Sequence, residues 1–331
     1  MGKIIGLTYD LRTDYQFREN DPPDANAEFD HPQTIDLIAR AIESLGHKVL
    51  KIGNVENLLK KLDNLKVDIV FNISEGSSGR NRESQVPIIL EMMHIPFVGS
   101  DGLTLGLSLD KAMTKKILIS ENIPTPKFFE TDDPTNNVAK LKTMKFPLIV
   151  KPRCEGSSKG LSEKSRVENI EQLREQIGYI VRTYKQSALV EEFISGSEYT
   201  VALIGNNPPE ILPPVQIKID GKLKLGDKFY TFARIHSDRL EYVCADKIDR
   251  LLKEKLMNLA LRTYKAIDCR DFGRVDFRVD QDTNPYVLEI NPLPSLSSAD
   301  VFTCIANYLN VHYEEMIRRI LDAALTRCGL K

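Results

Sequence analysis

Two short segments near the C-terminus constrain this chain more than any other feature. Arg274-Val275-Asp276-Phe277-Arg278-Val279 and Tyr286-Val287-Leu288-Glu289-Ile290-Asn291 flank a turn over Asp280 to Pro285. Both alternate polar and apolar residues, the period of a strand with one face in a core. With the turn centred between Asp282 and Thr283, Asp276 is expected opposite Glu289 and Arg274 opposite Asn291. Val275 then faces Ile290, and Phe277 faces Leu288. All apolar pairs share one face, and a one-residue slip would destroy that sorting. The polar face gathers two carboxylates, a carboxamide and a guanidinium. Carboxylates across a strand pair repel unless a cation sits between them. Hard oxygen donors suit Mg2+, which also takes phosphate oxygens. By itself the face also fits a solvated surface with an Arg–Asp pair.

A second segment, Arg153-Cys154-Glu155-Gly156-Ser157-Ser158-Lys159-Gly160, follows the apolar strand Leu148-Ile149-Val150-Lys151. Small residues let backbone N–H groups approach phosphate oxygens. Alone, the loop also fits a flexible hairpin tip. Lys151, at the strand end just before it, is a natural phosphate contact. No GxxxxGK[ST] and no GxGxxG after the first strand occur, so neither a P-loop nor a dinucleotide fold is indicated. A third segment, Leu189 to Val201, reads as strand–turn–strand. Main-chain groups around Phe193 would read a purine and Glu198 would bind ribose hydroxyls; without context, an ordinary strand–turn–strand is the plainer reading.

The rest of the chain sets the frame. Lys3–Thr8, Lys48–Ile52 and Val67–Ile73 read as strands alternating with helices, which implies a parallel sheet covered on both sides. A polar stretch over 10–32 is a long loop, and Ile35, Ile38, Ala41, Ile42 and Leu45 recur at helical spacing. At 331 residues, three units are expected: 1–101, 102–188 and 189–331. The charges nearly cancel, 45 basic against 47 acidic, which argues against nucleic-acid coating. No apolar run approaches the roughly 18 residues that cross a bilayer. Five scattered cysteines without a CxxC and five histidines without ligand-like spacing favour neither a disulfide scaffold nor zinc, and fit a reducing cytoplasm.

Together these segments resemble the ATP-grasp ligases and, within them, the D-alanine–D-alanine ligase family. The motifs are Ser108-Leu109-Asp110-Lys111, Val150-Lys151-Pro152 with Glu155 to Gly160, Glu191 to Val201, Gly273-Arg274-Val275-Asp276 and Leu288-Glu289-Ile290-Asn291-Pro292. Each is weak alone; five in order span nearly the whole chain. The resemblance implies an α/β and α+β architecture: an ATP-grasp fold with an N-terminal doubly wound parallel-sheet domain. It implies that Lys111 and Lys151 contact ATP phosphates and that Glu155, Gly156, Ser157, Ser158 and Gly160 form a lid over them. Glu191, Glu192, Phe193, Ile194, Glu198, Phe229 and Arg234 would complete the nucleotide site. Asp276, Glu289 and Asn291 would hold two Mg2+ or Mn2+ ions, with Arg274 steadying the reacting carboxyl group. The implied chemistry joins a small-molecule carboxylate to an amine through an acylphosphate, in a homodimer.

Substrate positions depart from the family pattern. Glu28 stands as candidate for the glutamate that holds the first amino acid's ammonium, and Ser157 matches the serine of the same network. Its closing tyrosine is replaced by Ile235, after Arg234 where a lysine is usual. Glu192 replaces a lysine, and Ser295 a glycine that supports the oxyanion. Asp300-Val301 stands where a Ser-Leu pair cradles the second substrate's carboxylate. An aspartate there repels a carboxylate and favours a cation. The expectation is a ligase with an altered substrate pocket; the alternatives are an authentic D-alanine–D-alanine ligase, a non-catalytic ATP-binding regulator, or another ligase or carboxylase on the same fold.

Overall fold

The structure, a computed structural model, describes residues 2–135, 141–235, 237, 239–245 and 247–331. The first sheet has four parallel strands, β1 (Ile4–Tyr9), β2 (Lys48–Gly53), β3 (Ile69–Ile73) and β4 (Phe97–Val98), in the order β2-β1-β3-β4. Ile69 and Phe71 join one core, which includes helix α1 (Pro32–Ser44), and Val70 joins another with helices α2 (Val55–Lys61) and α3 (Gln85–Met92). A strand run that is apolar on both faces requires cover on both faces, as the sequence pattern predicts.

Helices α4 (Gly102–Leu109) and α5 (Lys111–Ser120) follow. The expected unit boundary at 101/102 falls at the start of α4, whose helical signal Gly102 and Gly106 weaken; Asp101 caps it by accepting from Thr104 N–H. The second sheet is antiparallel, with strands β5 (Phe128–Thr131), β6 (Leu148–Pro152), β7 (Arg166–Val167) and β8 (Ala188–Glu192) in the order β5-β8-β6-β7 and helix α6 (Ile170–Tyr184) on one face. The expected unit boundary at 188/189 falls inside β8, all five residues of which pair with β6.

A third sheet carries β9 (Ser197–Ile204), β10 (Glu210–Ile211), β11 (Val215–Ile219), β12 (Leu240–Cys244), β13 (Phe272–Val279) and β14 (Pro285–Asn291), with β10 paired on β9 beside the path β12-β11-β9-β13-β14. The short helix α7 (Phe232–Ile235) precedes β12, and α8 (Arg250–Ala266) backs the sheet. The last helices, α9 (Val301–Tyr308) and α10 (Tyr313–Arg327), return to the first sheet: Phe302, Ile305, Ile317 and Ile320 share its core with Ile5, Leu7 and Phe71.

The β13–β14 ladder pairs Arg274 with Asn291, Val275 with Ile290 and Asp276 with Glu289, as expected. The expected Phe277–Leu288 pair does not form. A bulge after Asp276 shifts the register, so Phe277 faces Val287 and Arg278 faces Tyr286. Val287 and Leu288 are both apolar, so alternation alone cannot choose between them. Packing can: Val287 fills the core, while Leu288, the extra residue, turns to the cavity described next.

Candidate active site

A cavity of about 650 Å³ is lined from all three sheets. Its floor is the polar face of β13 and β14. Asp276 accepts hydrogen bonds from Arg274 Nε and Nη2, both at 3.1 Å, and from the Asn291 amide at 2.9 Å. Burial raises the Asp276 carboxyl, with Arg274 opposing in part. Across the ladder, Glu289 accepts Lys111 Nζ at 2.6 Å. Burial pushes the Glu289 carboxyl up, but Lys111 and Lys151 outweigh it and bring it down to about 2. Two carboxylates and an amide oxygen thus sit side by side on a rigid ladder. No group of three or more His, Cys, Asp or Glu side chains spaced for a metal occurs among the described residues. The set fits Mg2+ that takes the remaining oxygens from phosphate and water.

The nucleotide candidates sort differently from expectation. Lys151 Nζ lies 2.7 Å from Glu191, which also holds the buried Lys115 at 2.6 Å. The Glu191 side chain is therefore committed to two lysines. Phe193 donates its N–H to the Pro147 carbonyl, and its ring packs edge-on to Phe229 at 5.6 Å. Ile194, Glu192 and Glu198 also line the cavity. Glu198 accepts Arg278 Nη1 at 3.2 Å; burial lifts its carboxyl to about 7 against that arginine. Arg234 does not reach the cavity: it pairs with Glu163 at 2.7 Å and donates to the Phe229 carbonyl. The side chain of Ile235 lies outside the described residues.

The loop after β6 is fastened to the first unit. Glu28 accepts Gly156 N–H at 2.5 Å, Arg82 Nη2 at 2.6 Å and Lys159 Nζ at 3.2 Å. Burial opposes its charge, yet Arg82 and Lys159 pull the carboxyl down to about 2. With three donors on it, Glu28 is an anchor of the loop rather than an open receptor for an ammonium. Glu155 joins the clamp through Lys159 at 2.5 Å and Arg82 at 3.2 Å. Ser157 and Ser158, both in the left-handed region at φ +46° and +55°, line the cavity at the tip. Gly160 stands behind it, at φ +75°, donating to Asp24 at 2.8 Å. The sequence reading missed Arg82 and Lys159; the one available signal was a lysine inside the glycine-rich loop.

At the far end, Asp300 receives Arg274 Nη1 at 3.3 Å and caps α9 through Val301 N–H at 2.6 Å. Ser295 lines the cavity beside it. Val301 does not; its side chain is wholly in the core, where an apolar residue at the first turn of α9 belongs. Sequence spacing alone cannot tell which of two adjacent residues turns inward.

Comparison with known proteins agrees with this geometry. The family model described as D-ala D-ala ligase C-terminus matches residues 119–322. The chain is 34% identical over 301 residues to D-alanine–D-alanine ligase of Carboxydothermus hydrogenoformans, across 88% of this chain and 93% of that one. It is equally identical, over 303 residues, to the uncharacterized protein y4sG of Sinorhizobium fredii, across 88% and 87%. The crystal structure of D-alanine–D-alanine ligase from Bacillus anthracis with ATP shares the fold at a TM-score of 0.77 and 23% identity, across 99% of each chain. The VanG D-Ala:D-Ser ligase from Enterococcus faecalis does so at 0.74 and 19%, across 98% of this chain and 100% of that one. No helix among the described residues is long and apolar enough to cross a membrane. With an ATP-grasp fold, five motifs converging on one cavity and this kinship, the chain belongs to the D-alanine–D-alanine ligase family of ATP-dependent ligases.

Proposed function

We propose that this ligase joins a carboxylate to an amine through an acylphosphate, and that its amine partner is not a free amino acid held by its carboxylate. Lys111 and Lys151 hold the ATP phosphates, and the loop 155–160 covers them. Asp276, Glu289 and Asn291 hold two Mg2+, which when bound neutralise the charge on the transferring group. Arg274 orients the carboxylate that attacks the γ-phosphate. The clamped loop keeps water from the acylphosphate. A homodimer is part of the same reading; the exposed Ile88, Met92 and Leu103 on α3 and α4 offer an apolar face for it.

One observation carries the altered specificity: the Asp300 carboxylate faces Arg274 in the cavity, where it repels a second carboxylate. The test is a substrate-dependent phosphate-release screen. Little turnover with D-alanine alone, and a gain in Asp300→Ser, is expected. Strong turnover of the unaltered protein with D-alanine alone overturns the altered pocket.

A further inference from the structure

The two lysines given to the ATP phosphates arrive on different elements. Lys111 opens α5, and Lys151 stands near the end of β6. Two cations grip one polyphosphate only if their spacing is held to about 0.5 Å. Each ammonium has a carboxylate: Glu289 takes Lys111 at 2.6 Å, and Glu191 takes Lys151 at 2.7 Å. The two ties differ in kind. Glu191 is buried between two lysines and serves nothing else. Glu289 is also a proposed Mg2+ ligand, so it cannot serve Lys111 alone. What remains to fix Lys111 is the position of its backbone at the start of α5.

Arg153 sets that position. Asp110, one residue before Lys111, caps α5 by accepting from Met113 N–H at 3.2 Å. Its carboxylate takes the Arg153 guanidinium as a fork, Nε on Oδ1 at 2.7 Å and Nη2 on Oδ2 at 2.9 Å. The Arg153 carbonyl in turn accepts the Lys111 N–H at 3.1 Å. Arg153 lies two residues beyond Lys151, so its side chain and main chain together bind the start of α5 to the end of β6. Paired bonds from a planar fork fix orientation as well as distance, which a point charge does not.

Burial pushes the Asp110 carboxyl up, but hydrogen bonds from Arg153, Met113 and Arg80 outweigh it and hold it below its ordinary range. Arg80, from the loop between β3 and α3, reaches the same carboxylate with Nε at 2.9 Å. Its side chain is 66% exposed against 20% for Arg153. Solvent therefore screens Arg80, and the enclosed fork dominates.

We propose that Arg153 is a positioning residue for phosphate binding: its fork on Asp110 sets the separation of the Lys111 and Lys151 ammoniums across the ATP phosphates. This rests on the phosphate role proposed above for the two lysines and adds what keeps them in register. Neither Arg153 nor Asp110 lines the cavity, so both act on ATP through the lysines.

Isothermal titration of the full chain tests this, with Mg·ATP and with adenosine, which lacks every phosphate. Arg153→Gln is expected to weaken Mg·ATP about tenfold or more, with adenosine within about twofold of the unaltered chain. Arg153→Lys keeps the charge without the fork and is expected to recover only part of the loss. If Arg153→Gln does not fold, the same split between Mg·ATP and adenosine is read in Arg153→Lys. Arg80→Gln removes the exposed partner of the same carboxylate and is expected to leave both affinities within about twofold. Unchanged Mg·ATP affinity in the Arg153 variants, equal losses for Mg·ATP and adenosine, or a loss in Arg80→Gln as large as in Arg153→Gln overturns the positioning inference alone. Absence of Mg·ATP binding by the unaltered chain overturns the ligase function, and the inference with it.

Discussion

Lys151 Nζ lies 2.7 Å from one carboxylate oxygen of Glu191, while Lys115 Nζ lies 2.6 Å from the other. The phosphate-side lysine is thereby fixed at the end of β6 by a buried anion that a second, wholly buried lysine holds in place. Burial pulls the Lys115 ammonium down to about 8 in spite of Glu191. Glu191→Gln leaves two buried cations without their anion and is expected to cost about 3–5 kcal/mol. Lys115→Met keeps the Lys151–Glu191 pair and is expected to cost less in stability while raising KM for ATP. Denaturant titration and ATP kinetics on both variants check the order.

Glu28 makes the loop clamp acid-labile. Its carboxyl is lowered to about 2 in the folded chain, from an ordinary value near 4.5. The unfolded chain therefore binds the proton more readily, and stability rises with pH across this window. The contribution is complete above about pH 4.5 and disappears as the pH falls to about 2, on the order of 3 kcal/mol in all. Glu28→Gln is expected to flatten that part of the stability–pH curve; an unchanged slope between pH 4.5 and 2 refutes the clamp.

Gly160 is a backbone requirement. Its φ of +75° is in the left-handed region, and a Cβ there would meet Pro152 Cγ at 2.5 Å. Gly160→Ala is expected to destabilise the protein by about 1–3 kcal/mol. Because the loop end would move, KM for ATP should rise more than kcat falls. Thermal melting and steady-state kinetics together separate this from a purely global loss.

The β13–β14 floor carries the most exacting prediction. Glu289→Ala removes a carboxylate from the ladder and frees Lys111. ADP formation is expected to fall by about 100-fold or more. The ATP turnover that remains should need more Mg2+ to saturate. Turnover equal to that of the unaltered protein, measured by coupled ADP release across an Mg2+ series, would remove the floor from the mechanism.

Periodicity sufficed for the strands of the first sheet, for α1 and for the polar face of the hairpin. A period of two puts Arg274, Asp276, Glu289 and Asn291 on one side whatever surrounds them, and the observed ladder keeps those pairs. The bulge at Leu288 escaped because two adjacent apolar residues satisfy the pattern equally until one of them meets a core. The clamp on the loop escaped for a different reason. Glu28 meets Arg82 from 54 positions away and Gly156 from 128. Likewise Asp30, Glu75 and Glu83 line one cavity only because β1 and β3 lie side by side with their carboxyl ends together. Local pattern determines which way a side chain points from its own strand or helix. Which charges then find partners, and which are left facing a cavity, is decided when distant segments pack and burial makes each unpaired charge costly.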